Sequence, residues 1–214
     1  AGARVLDIGA GTGGVAVALA RQYGFDLHAI ERDPAMAKAI GDRLRAKGHQ
    51  GRVSVVVEHS TQALDRLGPA DMIVALGSTE AAGKGIKTPD GIFEGLVPRL
   101  KSPGFLLWGD LVWTATPPEP LRQVVGISGV YASDAGWKQA AAKAGLECVC
   151  SEISPQDLWD DFFAGVDGRV RDWLKANPRA PGFDALKTRA DQVNSVFAFG
   201  RPYLGFGLYL FRKP

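Results

Sequence analysis

Short apolar runs bounded by glycine and proline alternate with longer stretches of helical spacing along the first two-thirds of the chain. That alternation predicts an α/β architecture with a doubly wound, mostly parallel sheet covered on both faces. Residues 5–8 read as a first strand, followed by an alanine-rich helical stretch over 15–21. Residues 25–31 read as a second strand, and 34–47 as a helix closed by Gly48. A β-branched strand over 52–57 and an apolar one over 70–76 come next, the latter led in by Gly68-Pro69. Residues 92–100 are expected to be helical, and Lys101-Ser102-Pro103-Gly104 to turn the chain into a fifth strand over 105–109. A helix over 132–144, ending at Gly145, precedes a sixth strand over 146–153. The alternating GFGLYLFR run, 205–212, is the seventh and is expected to lie antiparallel to its neighbour.

Between the last two strands a hairpin would need only a few residues. Residues 154–200 instead carry Trp159, Phe162, Phe163, Trp173, Phe183, Phe197 and Phe199 in helical surroundings. Long insertions inside compact domains are often lids or binding elements. The expectation is therefore one domain over 1–214, with 154–200 a helical lid or substrate-binding insertion.

The first strand runs into Asp7-Ile8-Gly9-Ala10-Gly11-Thr12-Gly13-Gly14. Glycines let a backbone turn tightly and approach a ligand, and the helix N-terminus behind them offers free N–H groups to an anion. Two registers fit. Gly9, Gly11 and Gly14, with Glu31 about twenty residues on, match the dinucleotide pattern G-x-G-x-x-G and its ribose-binding acid. Gly9, Gly11 and Gly13 match D-x-G-x-G-x-G equally well. Charge separates the two: an aspartate beside the turn opposes a pyrophosphate but suits a ligand carrying an ammonium and a sulfonium, such as S-adenosylmethionine.

From Arg4 to Pro34 the chain resembles the class I S-adenosylmethionine-dependent methyltransferases: VLDIGAGTGG matches their first motif, and FDLHAIE matches a second strand ending in an acid that grips the ribose hydroxyls. The resemblance implies a Rossmann-like seven-stranded sheet whose last strand is antiparallel, preceded by a helical insertion. It also implies a helical segment ahead of the first strand that helps cover the cofactor. On that likeness Asp7, Gly9, Gly11, Gly13, Glu31, Arg32, Leu76 and Gly77 are cofactor residues, and Glu58, His59 and Ser60 stand where the family binds adenine. His59-Ser60 departs from the family's usual Asp-Ala there. Leu100-Lys101-Ser102-Pro103-Gly104 looks like the family's L-K-P-G-G turn with a serine inserted.

Ligands of open α/β sheets bind beyond the carboxyl ends of the strands, near the switch in strand order. The acceptor should then meet Ser78, Thr79, Glu80, Asp110 and Trp113 at the ends of the fourth and fifth strands. The C-terminal half, with Gly109-Asp110-Leu111-Val112-Trp113 before Pro117-Pro118, then Trp159-Asp160 and the closing Gly200-Arg201-Pro202-Tyr203, is similar to a group of small-molecule methyltransferases of largely unassigned substrate. Trp159, Arg201 and Tyr203 join Ser78 and Trp113 as substrate candidates. Glu80, with Asp110 second, is the candidate general base, needed only if the acceptor carries a proton at its working pH. No N/D-P-P-Y/F tetrapeptide follows the fourth strand and no Pro-Cys pair occurs, against nucleobase-amine, glutamine and cytosine-C5 methylation.

Composition narrows little further. A formal net charge of +2 offers no electrostatic argument for nucleic acid or an acidic membrane surface, and no apolar run is long enough to span a bilayer. A cytoplasmic location is the default. Cys148 and Cys150, two apart, are expected to pack as buried apolar residues without a disulfide. His28, His49 and His59 lack metal-ligand spacing, so no metal is expected. Two other functions stay open: a nicotinamide-dependent oxidoreductase using the other glycine register, and a non-catalytic cofactor-binding subunit.

Overall fold

The computed structural model describes residues 2–47, 52–78, 80–86 and 88–214; Gly48, His49 and Thr79 lie outside them. The backbone divides into two compact units. The first comprises Ala1–Asp110, Ala135–Glu152 and Leu208–Pro214, and the second Leu111–Asp134 and Ile153–Gly207.

The first unit is built on parallel β–α repeats. Strand β1 (Arg4–Ile8) leads through helix α1 (Gly14–Tyr23) to β2 (Asp26–Ile30), and α2 (Pro34–Lys47) leads to β3 (Val53–Val56). Helix α3 (Ser60–Leu67), β4 (Ala70–Leu76) and α4 (Pro89–Leu96) follow, and a 3₁₀ turn over Val97–Arg99 enters β5 (Leu100–Trp113). The remaining elements are α5 (Glu119–Ser128), β6 (Ala132–Ser133), α6 (Asp134–Lys143), β7 (Glu147–Ile153), α7 (Gln156–Ala176), α8 (Phe183–Gly200) and β8 (Leu204–Lys213). The sheet runs β3-β2-β1-β4-β5-β8-β7, with the two-residue β6 beside β5. It is parallel apart from its antiparallel C-terminal strands. The expected seven strands are all present, and β6 is an eighth.

Burial explains why β1 is apolar apart from Arg4 and Asp7. Val5 faces a cluster with Ala16, Val17 and Ala20 of α1 and Ile40 and Leu44 of α2. Leu6 and Ile8 point the other way and are also fully buried, as befits a strand covered on both faces. A second packing centre is aromatic: Phe93 of α4 meets Trp108, Trp137 and Phe211 edge-on at 5.4–6.1 Å.

Three features differ from the sequence reading. Residues 101–104 do not separate helix from strand; they are a bulge inside β5, whose register against β4 jumps from Ala70↔Leu100 to Met72↔Phe105. Gly104 permits the bulge, because a Cβ there would lie 2.5 Å from the Lys101 carbonyl oxygen. Helices α3 and α5 have no counterpart among the expected elements. Finally, Cys148 and Cys150 are free thiols, as expected, but exposed rather than buried. Their strand β7 is the edge of the sheet, where neither face is fully covered.

In the second unit, α7 and α8 fill the long segment before β8. Trp159 is the centre of an aromatic group with Phe162, Phe163, Phe197 and Phe206, ring centroids 4.6–5.9 Å away. A separate core of Leu121, Val125 and Leu204 has Trp113, Tyr131, Val196 and Tyr203 packed against it. Among the described residues no helix is long and apolar enough to cross a membrane.

Candidate functional site

The chain leaves β1 outward through β2 and β3 and then returns to place β4 on β1's other side. The carboxyl ends of β1 and β4 thus flank the switch point at which open α/β sheets bind ligands. Gly9 and Ser78 meet there so closely that a Cβ on Gly9 would come within 3.0 Å of the Ser78 hydroxyl oxygen.

The backbone chooses between the two glycine registers. Gly9, Gly11 and Gly13 all have positive φ, at 66°, 56° and 76°, whereas Gly14 is not among the positive-φ glycines. The left-handed region strongly favours glycine, so the chain needs glycine at 9, 11 and 13 but not at 14. Gly13 is doubly constrained, since a Cβ would also strike Ile40 at 2.8 Å, while at Gly14 the nearest atom is Arg43 Nη1 at 3.8 Å. The loop is therefore built as D-x-G-x-G-x-G.

Two acids frame this loop. Asp7, near the end of β1, is only 4% exposed, and its Oδ2 has no hydrogen-bond partner among the described residues. Burial, and then the negative charge of Glu31, push its carboxyl up to about 7. Glu31, 7% exposed, is pinned instead: Oε2 accepts the Gly11 N–H and Oε1 the Asp33 N–H, both at 2.9 Å. Glu31 thus ties the end of β2 to the glycine loop. A carboxylate has about four acceptor positions, so Glu31 retains capacity for a pair of hydroxyls. Asp33 caps α2, accepting from Ala35 N at 2.7 Å and Met36 N at 3.2 Å.

A cleft of ≈ 280 Å³ opens beside this frame, lined by Gly9, Ile30, Glu31, Arg32, Glu58, His59, Ser60, Gly77, Ser78 and Glu80. Nine of these ten were expected site residues; Ile30, just before the ribose acid of the resemblance, was not. Glu80 is clasped at its rim. Its Oε2 lies 2.9 Å from Arg32 Nη1 and 3.6 Å from His59 Nε2, and the Ser60 hydroxyl donates to its carbonyl at 3.1 Å. Glu58 takes Arg66 on both oxygens, the shortest contact being 2.8 Å. Asp7, Gly11, Gly13, Leu76 and Asp110 belong to the same unit without lining the cleft, and Asp110 is buried at 3% exposure.

Residues 5–88 match a family model described as "Methyltransferase domain". This segment is a methyltransferase domain. It contains every expected cofactor residue together with Ser78 and Glu80; Asp110, Trp113, Trp159, Arg201 and Tyr203 lie beyond it. A likeness to solved structures extends over the whole chain. A structure of an S-adenosylmethionine-dependent methyltransferase from Geobacter sulfurreducens in complex with S-adenosyl-L-homocysteine is 24% identical, with a TM-score of 0.82 over 100% of this chain and 85% of that one. Its counterpart from Thiobacillus denitrificans, also in complex with S-adenosyl-L-homocysteine, is 25% identical with a TM-score of 0.81, over 100% and 86%. The uncharacterized protein YjhP of Escherichia coli is 27% identical over 180 residues, which cover 83% of this chain and 71% of its own. The fold is that of the class I methyltransferases.

The expected substrate residues of the second unit have partners within it. Arg201 grips both oxygens of Asp160 at 2.5–3.1 Å, which raises the guanidinium's pKa and lowers that of the carboxyl through hydrogen bonding. Trp159, 8% exposed, sits inside its aromatic group. Tyr203 and Trp113 pack against the Leu121 core, and the Tyr203 carbonyl accepts the Thr114 N–H at 2.9 Å.

The glycine register carries a direct test. Gly13→Ala should destabilise the protein by about 1–3 kcal/mol in urea unfolding, from positive-φ strain and the clash with Ile40. Gly14→Ala, at the first residue of α1, should stay within about 0.5 kcal/mol of the parent or gain slightly. Equal losses would remove the distinction between the registers.

Proposed function

We infer that this chain is a cytoplasmic enzyme that transfers a methyl group from S-adenosylmethionine to a small-molecule acceptor. The observation that carries this reading is the buried Asp7 carboxyl, whose Oδ2 has no partner among the described residues, beneath a D-x-G-x-G-x-G loop in a methyltransferase domain. An unpaired buried carboxylate is costly, and the methionine ammonium is a cation that relieves that cost. Bound here, S-adenosylmethionine would supply a methyl group on a sulfonium, open to in-line displacement by the acceptor.

In this reading Asp7 faces the ammonium and Glu31 the ribose hydroxyls. Glu58, His59 and Ser60 take the adenine end, with Arg32 beside it. Gly9, Gly11 and Gly13 give the ligand room, and Leu76 and Gly77 complete the floor. Most of the rate then comes from alignment and exclusion of water. Ser78 and Asp110 are the acceptor-side residues of the first unit, and Asp110 takes the proton if the acceptor carries one. Glu80, held by Arg32 and close to His59, serves the cofactor as a clasp at the rim of its cleft. Trp159 and Arg201 belong to the frame of the second unit.

Titration calorimetry with S-adenosylhomocysteine and with NADH tests the cofactor. The ammonium requires an ionised Asp7, whereas in the free protein the carboxyl is held at about 7. Affinity for S-adenosylhomocysteine should therefore rise as pH approaches 7, by up to about tenfold per unit, and level off above it, one proton being released on binding below 7. In the free protein the same shift works in the opposite sense: the folded carboxyl is raised above its ordinary 3.8, so ionising Asp7 costs stability as pH climbs toward 7. Asp7→Asn should lose about tenfold or more in affinity at pH 8 and abolish the pH dependence. Tight binding of NADH with none of the homocysteine product would overturn the reading.

Glu80→Gln separates clasp from base. A clasp predicts a higher KM for S-adenosylmethionine with kcat changed less than about threefold, whereas loss of a general base lowers kcat by about a hundredfold or more.

A further inference from the structure

One hollow of the second unit is not used by any role assigned so far. It is a groove of ≈ 860 Å³, a size typical of pockets for small organic ligands. Helices α5 and α8, which pack against each other, form its sides. Leu111 and Leu204 line it, with Val125 of α5 and Val196 of α8; Val125 and Leu204 belong to the local core, and Val196 packs against them.

Along α8 the lining runs from Arg189 to Val196 and Phe197, with the Ser195 hydroxyl beside Val196 turned back onto the Asp191 carbonyl at 2.8 Å. Arg189, Gln192, Val193 and Val196 follow at helical i, i+3, i+4 and i+7 spacing and all line it. At a rise of about 1.5 Å per residue, the guanidinium-bearing position lies about 10 Å along the axis from the apolar end at Val196. Arg189 is exposed and has no hydrogen-bond or ion-pair partner among the described residues. The acid that also lines the groove, Asp191, is already held by Arg171 at 2.7 Å and Lys187 at 2.9 Å. The uncommitted charge at the polar end is thus positive, with the Gln192 side chain one turn beyond it.

We propose that the groove between α5 and α8 binds an amphipathic carboxylate, an apolar body about 10 Å long with its anionic end on Arg189. A guanidinium holds a carboxylate through two parallel hydrogen bonds, while Val125, Val196, Leu111 and Leu204 take the hydrocarbon. Binding there is confined to the second unit and does not depend on the methyl donor.

Titration calorimetry of the whole chain with octanoate, 1-octanol and octylamine tests this, the three differing only in the charge of one end. Octanoate is expected to bind with one-to-one stoichiometry and about tenfold or more tighter than 1-octanol, the size of a charge-assisted hydrogen bond; octylamine should bind less well than either. Arg189→Gln should bring octanoate down to the affinity of 1-octanol. Val196→Trp, which fills the apolar end, should weaken both, with circular dichroism and S-adenosylhomocysteine binding reporting an intact fold. Octanoate binding no tighter than 1-octanol, tighter binding of octylamine, no binding of any of the three, or an undiminished octanoate affinity in Arg189→Gln would overturn the assignment. Octanoate binding as expected in a protein that fails to bind S-adenosylhomocysteine would leave this site standing and remove the methyl-transfer reading instead.

Discussion

A carboxylate is buried where the sheet turns into its glycine loop, and the organisation of the first unit follows from it. Asp7 sits on a strand covered on both faces, beneath backbone that only glycine readily adopts at three alternate positions. In isolation such a group would be excluded from a core or replaced by an apolar residue, because no described residue meets the charge of its Oδ2. Its neighbour Glu31 makes the cost higher rather than lower. The arrangement becomes reasonable once a cation is part of the bound state.

Glu31 shows the complementary principle. Its two oxygens are committed to backbone N–H groups of the glycine loop and of the turn into α2, so the acid is oriented before any ligand arrives. A group held in place by the chain loses little freedom on binding. The pair therefore divides the work: Asp7 contributes unmet charge, and Glu31 contributes fixed direction. The clasp of Arg32 on Glu80 adds a third, softer element. Both side chains are exposed, at 68% and 41%, and exposed pairs of this kind contribute little to stability.

The cofactor half of the chain was legible because its information is local. Asp7, the glycines and Glu31 lie within one β–α–β repeat, where spacing along the chain fixes spacing in the fold. The rest depends on distant pairings. Arg32 meets Glu80 across 48 positions, and Arg201 meets Asp160 across 41; neither pair has a signature in either segment. Cys148 and Cys150 were misjudged for the same reason: whether a strand is central or an edge is a property of strand order, which the strand's own residues do not encode. The bulge in β5 escaped because Pro103-Gly104 is equally a turn and a bulge until the partner strand is known. The groove along α8 depends on its pairing with α5, distant along the chain, although Leu121, Val124 and Val125 give α5 a helical apolar spacing of its own.

The proposed function turns on Asp7 being kept near neutrality in the free protein and ionised by its ligand. Carboxyl-carbon NMR of protein labelled at aspartate, titrated with and without saturating S-adenosylhomocysteine, measures this directly, with Asp7→Asn assigning the resonance. The expected result is an Asp7 midpoint of about 7 in the free protein and a clear fall on saturation. A midpoint in the ordinary aspartate range in the free protein, or one that saturation leaves unmoved, would contradict it.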